Sequence, residues 1–139
     1  MGGRFWVSVV VMTVLNFATG FVVHGMLLHN DYAQLPNLLR TEADAQGYFV
    51  WMILADLLMG LGLTWIYVKG REAGRPPVSQ GLRFGLAVAV LMVVPYCLIF
   101  YAVQPWPAAV VVKQIVYDGL GALLKGVVVA LLNPAPRSV

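Results

Sequence analysis

The chain has 139 residues, of which 60% are hydrophobic and 11% are charged, and its formal net charge is +3. This composition excludes an ordinary soluble domain, in which about a quarter of the residues are charged, while the length fits a single domain. It also argues against nucleic-acid binding, because the basic residues lie between long apolar runs, as the loop charges of membrane proteins do. The only cysteine, Cys97, excludes an internal disulfide and a cysteine-built metal site, since both need a second thiol.

Four continuous apolar stretches predict the fold. They cover residues 5–28, 48–68, 82–103 and 108–132, and each reaches the roughly 20 residues that a helix needs to cross the bilayer. Helix is favoured over strand because the stretches do not alternate and because an isolated strand in lipid would leave its backbone unpaired. The sequence therefore predicts an all-α, polytopic membrane four-helix bundle, built as two antiparallel helical hairpins in one domain over residues 1–139.

The first stretch contains a basic residue at its start and two histidines near its end. Arg4 followed by an apolar run also occurs in signal peptides, but this run continues past Gly20 to Leu28, which favours a retained span. His24 and His29 invite a metal or haem hypothesis. They lie about 140° apart around one helix and so cannot both face one metal, and the sequence has no other histidine. We therefore predict no metal and no cofactor, with a site across a dimer interface as the alternative.

Two prolines predict local departures from regular helix. In the long connection 30–47, Tyr32 and three leucines favour a short helix lying on the outer interface, and Pro36 makes that helix begin late or break. Pro95 lies within the third stretch. It should kink the helix or free the carbonyl of Leu91, four residues earlier.

The basic residues predict the orientation of the spans. They cluster at the start of the chain, around the second connection and near its end: Arg4, Lys69, Arg71, Arg75, Arg83 and Arg137. The other connections hold Arg40 among acidic residues and a tight turn without charge. Because cytoplasmic loops carry the excess of Lys and Arg, we expect both ends of the chain to be cytoplasmic, an N-in/C-in topology.

Polar side chains inside the spans are the candidate functional residues, because such groups are expensive at hydrocarbon depth and usually face protein or a cavity. Spacing by three or four residues places several of them on shared faces: Asp56, Gly60 and Thr64 on the second helix, and Gln114, Asp118, Gly121 and Lys125 on the fourth. The predicted intramembrane polar site comprises Asp56, Asp118, Lys125, Gln114, Asn16 and His24.

Three interpretations of this polar site stay open. In the first, Asp56 and Asp118 meet with His24 or Lys125 as a proton or cation relay at the bilayer midplane. The second makes Asp118 with Lys125, or Asp56 with Lys113, structural ion pairs that hold the helices in register. We favour this second interpretation because pairing is a common way to make a membrane charge tolerable. In the third, one carboxylate stays protonated and donates a hydrogen bond.

Small residues on two helices predict close helix packing. In the third helix, small residues recur every four positions at Gly81, Gly85 and Ala89, and the fourth helix contains Gly119, Ala122 and Gly126. The predicted packing positions are Gly81, Gly85, Ala89, Gly119 and Gly126. The same faces are also compatible with contacts between chains. Because four short helices bury little area, a homodimer or a larger membrane complex is an open alternative.

Two segments resemble a group of small, uncharacterised bacterial four-helix membrane proteins similar to the domain of unknown function 1761. They read GFVVHGMLLHNDY from Gly20 to Tyr32 and GLRFGLAVAVLMVVPYCLIFYAVQPWPAAVVVKQIVYD from Gly81 to Asp118. The resemblance covers most of the chain and implies a multi-pass location in the bacterial inner (cytoplasmic) membrane. It implies no activity, so no catalytic residue is assigned from it.

The functional prediction is a class rather than a reaction. The sequence contains no Gly-rich phosphate loop, no G-x-S-x-G and no H-E-x-x-H, so we predict a protein that is not an enzyme. A non-enzymatic accessory or assembly protein is favoured, with the lipid bilayer as its first partner. One alternative is a small proton, cation or solute transporter or channel that uses Asp56 and Asp118. Another is a lipid-binding protein that uses the outer residues His29, Asp31 and Tyr32.

Overall fold

The chain is all-helical over residues 2–136, the part that the computed structural model describes, and this range holds no β-strand. Within it, four helices are long and apolar enough to cross a membrane: Gly3–Leu27, Phe49–Gly70, Pro77–Val103 and Ala108–Leu132. We call them the first to the fourth long helix. The predicted all-α chain with four apolar helices is confirmed. Arg137, which contributed to the predicted orientation, lies outside the described residues.

The third long helix begins at Pro77 rather than at the predicted Leu82. Proline is favoured in the first turn of a helix because its missing N–H would have no helical partner there. The side chain of Gln80 then closes the preceding turn. Its Oε1 accepts from the Glu72 N–H at 2.7 Å, and its Nε2 donates to the carbonyls of Glu72 at 3.0 Å and Arg75 at 3.2 Å. The connection between the second and third helices is therefore residues 71–76.

The long connection 28–48 contains two short helices, His29–Ala33 and Glu42–Gln46. Of the residues predicted to form an interfacial helix, only Tyr32 lies in the first of these, while Leu35, Leu38 and Leu39 lie outside any helix. The helix ends before Pro36, since proline disfavours helix at the residue that precedes it. Thr41 caps the later helix by accepting from the Asp44 N–H at 3.3 Å. Arg40 pairs with the Asp44 carboxylate at 2.7 Å. The connection is thus partly ordered by its own polar side chains.

Two π-helical segments occur in the long helices of the described range: Phe21–Leu27 forms the end of the first, and Ala89–Val93 lies within the third. The second lies directly before Pro95 and includes Leu91, where the sequence predicted a freed carbonyl. Widening the helix in this way accommodates a proline ring that would clash with the carbonyl four residues earlier. The first segment, which contains Gly25, was not predicted. A π segment adds a residue to a turn, so it rotates the side chains that follow it around the helix axis.

The bundle packs as two hairpins, the first long helix on the second and the third on the fourth, joined mainly by contact between the first and fourth. Glycines bring the third and fourth helices together. A Cβ added to Gly85 would lie 2.6 Å from the Ala122 carbonyl oxygen, and one added to Gly81 would lie 2.6 Å from the Gly126 carbonyl oxygen. Ala89 is also buried, whereas Gly119 faces open space. The two backbones can approach this closely only because Cβ atoms are missing.

Polar contacts fasten the first and fourth helices at one end of the bundle, which we call the Arg71 end (residues 71–76 and 133–136 with the start of the chain). Asn133 Nδ2 donates to Ser8 Oγ at 2.8 Å, and both residues are buried. Arg71 donates to the carbonyls of Asn133 at 3.2 Å and Pro134 at 3.0 Å. The opposite end, with connections 28–48 and 104–107, we call the Tyr32 end.

Most of the long-helix surface is apolar and outward-facing. In an apolar 18-residue stretch of the third long helix, only 11% of the residues are buried, against 28% in the corresponding stretches of the first and fourth. Exposed apolar side chains of this number are unusual for a protein in water. Four apolar helices with such surfaces are compatible with a multi-pass membrane protein.

Candidate functional site

Four polar side chains from three segments meet near the Tyr32 end, and we call them the His24 cluster: His24, Tyr32, Gln114 and Asp118. His24 Nε2 lies 3.3 Å from Asp118 Oδ1, and His24 Nδ1 lies 2.6 Å from Tyr32 Oη. Gln114 Nε2 donates to the same Tyr32 oxygen at 3.0 Å. The cluster therefore joins the first long helix, the helix His29–Ala33 and the fourth long helix.

The donors and acceptors of the cluster form a continuous chain. Because Gln114 donates to Tyr32 Oη, the phenolic O–H is left to donate to His24 Nδ1. A neutral imidazole then carries its proton on Nε2, which donates to the Asp118 carboxylate. Gln114, Tyr32, His24 and Asp118 are thus ordered so that each donates to the next. An imidazole between a phenol and a carboxylate can accept a proton on one nitrogen and release one from the other.

An ion pair borders the cluster. Lys113 Nζ donates to both oxygens of Asp31, at 2.8 and 2.9 Å. The sequence suggested Lys113 as a partner of Asp56, but in the structure its ammonium pairs with Asp31 of the connection 28–48 instead. Residues 24, 31, 113 and 118 together carry two carboxylates and one ammonium. Carboxylates therefore outnumber ammonium groups beside the His24 ring.

Tyr32 is held by aromatic as well as polar contacts. Its ring stacks on that of His24, with centroids 6.0 Å apart and an interplanar angle of 8°, and Trp106 meets it edge-on at 5.9 Å. Burial raises the pKa of the Tyr32 phenol above 10.0, the Gln114 hydrogen bond opposes that rise, and the Asp118 charge adds to it. Tyr32 is therefore kept as a neutral hydrogen-bonding group.

Asp56 and Asp118 do not share a contact. Asp56 is half-buried on the second helix, and among the described residues it has no salt-bridge partner within 4.0 Å. Asn16, which is 3% exposed, donates to the Asp56 backbone carbonyl at 3.4 Å, not to its carboxylate. Of the predicted polar site, the structure brings His24, Gln114 and Asp118 together and leaves the Asp56 carboxylate apart.

Lys125 also lacks the predicted partner. Within residues 2–136 it makes no ion pair shorter than 4.0 Å, although Asp118 and Asp56 are both near enough to act on its charge. Asp118 instead faces His24. The structural pairs predicted for Asp118 with Lys125 and for Asp56 with Lys113 are therefore not the contacts that this bundle makes.

An open groove of about 350 Å³ lies between the first and fourth long helices beside the cluster. It is lined by Ala18, Thr19, Val22, Val23, Tyr117, Leu120, Gly121 and Leu124. None of these side chains is charged, so the groove is an apolar surface rather than a polar chamber. Over the described residues, no group of three or more His, Cys, Asp or Glu side chains is arranged to hold a metal ion.

Tyr32 is the member of the cluster that sequence reasoning missed. The sequence placed it at the outer interface, and only the lipid-binding alternative used it. The π segment at Phe21–Leu27 lies between it and the regular part of the first helix, so ideal helical spacing does not predict where His24 points. A signal was present in Gly25 and in the short spacing of His24 and Tyr32, which permits a turn back toward the helix.

Comparison with known proteins adds no relative. No protein-family model, curated protein or solved structure shows significant similarity to the chain. The resemblance to the domain of unknown function 1761 stays a prediction. The structural basis for a function is therefore the four apolar helices and the His24 cluster.

Proposed function

We propose that the protein is a non-enzymatic, multi-pass protein of the bacterial cytoplasmic membrane, with both ends in the cytoplasm. Its role is that of an accessory or assembly protein, working as an oligomer or in a larger membrane complex. Support for the orientation comes from the basic residues of the 71–76 connection, against the acidic residues of the Tyr32 end. The apolar outer faces of the second and third helices supply surface for lipid and for other membrane proteins.

The observation that carries this proposal is that the charged contacts near the Tyr32 end join distant parts of the chain. His24 with Asp118, and Asp31 with Lys113, both tie the first hairpin to the fourth helix. Contacts of this kind fasten the two hairpins to each other. Charged contacts that only hold helices together, which we call fasteners, need no substrate. They keep the helices of a bundle with little buried area in one relative position.

The proposal is tested by removing the two fasteners one at a time. Asp118→Asn and Asp31→Asn should each lower the free energy of unfolding in detergent by about 0.5–1.5 kcal/mol, the usual range for interhelical polar contacts in membranes. Asp44→Asn, which removes an exposed contact within one short segment, is the matched control and should leave stability unchanged. Wild-type stability and oligomer size in both fastener variants would refute the structural role.

A second function, proton-linked transport, is favoured by one specific observation. The hydrogen-bond chain from Tyr32 through His24 to Asp118 contains the groups that proton pathways use. Two further charges toward the middle of the bundle, Asp56 and Lys125, are without an ion-pair partner in the described range. They could continue the pathway inward only if the space between them and Asp118 admits water.

The same two variants distinguish this second function from the first. In liposomes with an internal pH dye, a transporter should move protons down an imposed gradient, and Asp118→Asn should abolish that movement. Asp31→Asn breaks a fastener outside the chain of donors and should retain most of it. Absence of flux in the wild type, beside a control transporter that works, would contradict transport and leave the accessory role.

A further inference from the structure

A second pocket lies at the Arg71 end, far from the His24 cluster, between the end of the second long helix and the start of the third. Its volume is about 250 Å³, and its lining includes Ile66, Tyr67, Glu72, Gln80, Arg83 and Phe84. Polar groups come from the connection and the third helix, while Ile66 and Phe84 add apolar wall. The pocket is not enclosed, and Ile66 in its lining is 56% exposed.

One buried polar group in this pocket lacks a partner. Tyr67 is 3% exposed, and its hydroxyl makes no hydrogen bond to any residue in the described range. The ring is fixed edge-on against Phe84, with centroids 5.4 Å apart. A buried hydroxyl without a partner costs free energy comparable to a lost hydrogen bond. A ligand with acceptor oxygens would remove that cost.

The pocket also lies in the most basic part of the chain. Residues 66–84 contain four cationic side chains, Lys69, Arg71, Arg75 and Arg83, and one anionic side chain, Glu72, which gives a net charge of +3. Glu72 is shared between Arg75 at 3.1 Å and Arg83 at 3.6 Å. The Arg83 side chain is 62% exposed, and a guanidinium has five N–H donors, so most of its donors are free for a ligand.

We propose that this pocket binds the headgroup of an acidic phospholipid. The phosphate would accept from Arg83 and Tyr67, and the acyl chains would follow the apolar surface beside Ile66. Basic pockets between membrane helices, at the level where the apolar spans end, are suited to anionic headgroups. A soluble anion would use the same donors but leave the apolar wall unused. This site is independent of the accessory or transport role and of the orientation of the chain.

Lipid selectivity tests the site directly. The full-length protein is reconstituted in phosphatidylcholine vesicles, and spin-labelled phosphatidylglycerol and phosphatidylcholine are compared for association with it. We expect severalfold selectivity for phosphatidylglycerol. Arg83→Gln should lower it by about fivefold, the usual effect of one basic residue at a membrane surface. Tyr67→Phe removes only a hydroxyl and should lower it by about two- to tenfold.

The control is Arg40→Gln, which removes an exposed arginine at the opposite end and should leave selectivity unchanged. Equal association of both lipids with the wild type would overturn the proposal, as would selectivity that neither pocket variant lowers. An equal loss with Arg40→Gln would show general surface charge instead of a site. Displacement of the labelled lipid by millimolar inorganic phosphate would identify a soluble anion as the ligand and likewise overturn the lipid assignment.

Discussion

His24 has a polar neighbour on each ring nitrogen, and this determines what the residue can do. Asp118 lies at Nε2 and Tyr32 at Nδ1, so the imidazole is held in one orientation whether it carries one proton or two. The surrounding charges are those of Asp31, Lys113 and Asp118, with the Cys97 thiol of the third helix also near Tyr32. The His24 side chain therefore joins the first long helix to the fourth and to the connection 28–48.

Tyr32 yields a prediction for the pH dependence of stability. Its pKa is raised by burial above 10.0, so the folded chain holds the phenolic proton more tightly than the unfolded chain. The resulting contribution is complete below the unfolded pKa and is lost as pH rises through the folded pKa. As pH rises above about 10, the wild type should therefore lose more unfolding free energy than Tyr32→Phe.

Unfolding in detergent at several pH values measures this difference. Tyr101→Phe changes an exposed tyrosine on the third helix and controls for the loss of a phenol as such. Parallel pH profiles for the wild type and Tyr32→Phe would show that burial of Tyr32 has no energetic consequence in this range.

The long helices differ in how they tolerate close contact. The third and fourth approach each other through Gly81, Gly85 and Gly126, whereas the first accommodates the Gly60 backbone of the second near Thr13. A π segment in the first and another in the third shift the faces of the residues that follow. Irregular turns of this kind are frequent at functional sites, and here one of them contains His24.

The glycine contact predicts opposite effects for two alanine substitutions in this hairpin. In Gly85→Ala, the new Cβ would lie 2.6 Å from the Ala122 carbonyl oxygen and 2.7 Å from Leu123 Cα. Because backbone cannot move aside cheaply, we expect a loss of about 1–3 kcal/mol, as for other overpacked interiors. In Gly119→Ala, the new Cβ meets nothing within 4 Å. That variant should gain up to about 1 kcal/mol from helix propensity.

Equilibrium unfolding of both variants in the same detergent provides the comparison. If Gly85→Ala were as stable as Gly119→Ala, the third and fourth helices would have to lie farther apart than the structure places them.

The two ends of the bundle differ in charge and in the polar contacts that hold them. The Tyr32 end has Arg40, Lys113 and several carboxylates, while the 71–76 connection and its flanks are strongly basic. Each end also joins the first and fourth helices through its own polar contacts. This asymmetry underlies the proposed orientation, because positive charge is retained on the cytoplasmic side.

Labelling of single cysteines tests that orientation. In a Cys97→Ser background, Ala43→Cys places a thiol in the long connection and Ala73→Cys places one in the 71–76 connection. A membrane-impermeant maleimide added to intact cells should label Ala43→Cys and leave Ala73→Cys unlabelled until the membrane is opened. The reverse pattern would mean that both ends of the chain are outside, and labelling of both positions in intact cells would contradict a membrane crossing by the helix between them.

Hydropathy and length predict the four apolar helices, with bounds close to those observed. Length and continuous hydropathy are local properties, and a helix in lipid satisfies its own backbone. The packing role of Gly81 and Gly85 in the third helix could also be predicted from a local property, because small residues spaced by four lie on one face of a helix. The early start at Pro77 was missed because the Gln80 side chain, rather than hydropathy, orders that turn.

Which polar residues meet depends on how the helices pack against one another. The sequence offered Asp118 to Lys125 and Lys113 to Asp56, but the chain pairs Asp118 with His24 and Lys113 with Asp31. Such pairing depends on the rotation of each helix, and a π segment changes that rotation without changing hydropathy. It also depends on where a connection folds back, as residues 28–33 do to bring Tyr32 onto the first and fourth helices. Hydropathy and residue spacing therefore predict the four apolar helices. The rotation of each helix and the path of residues 28–33 determine which polar side chains meet.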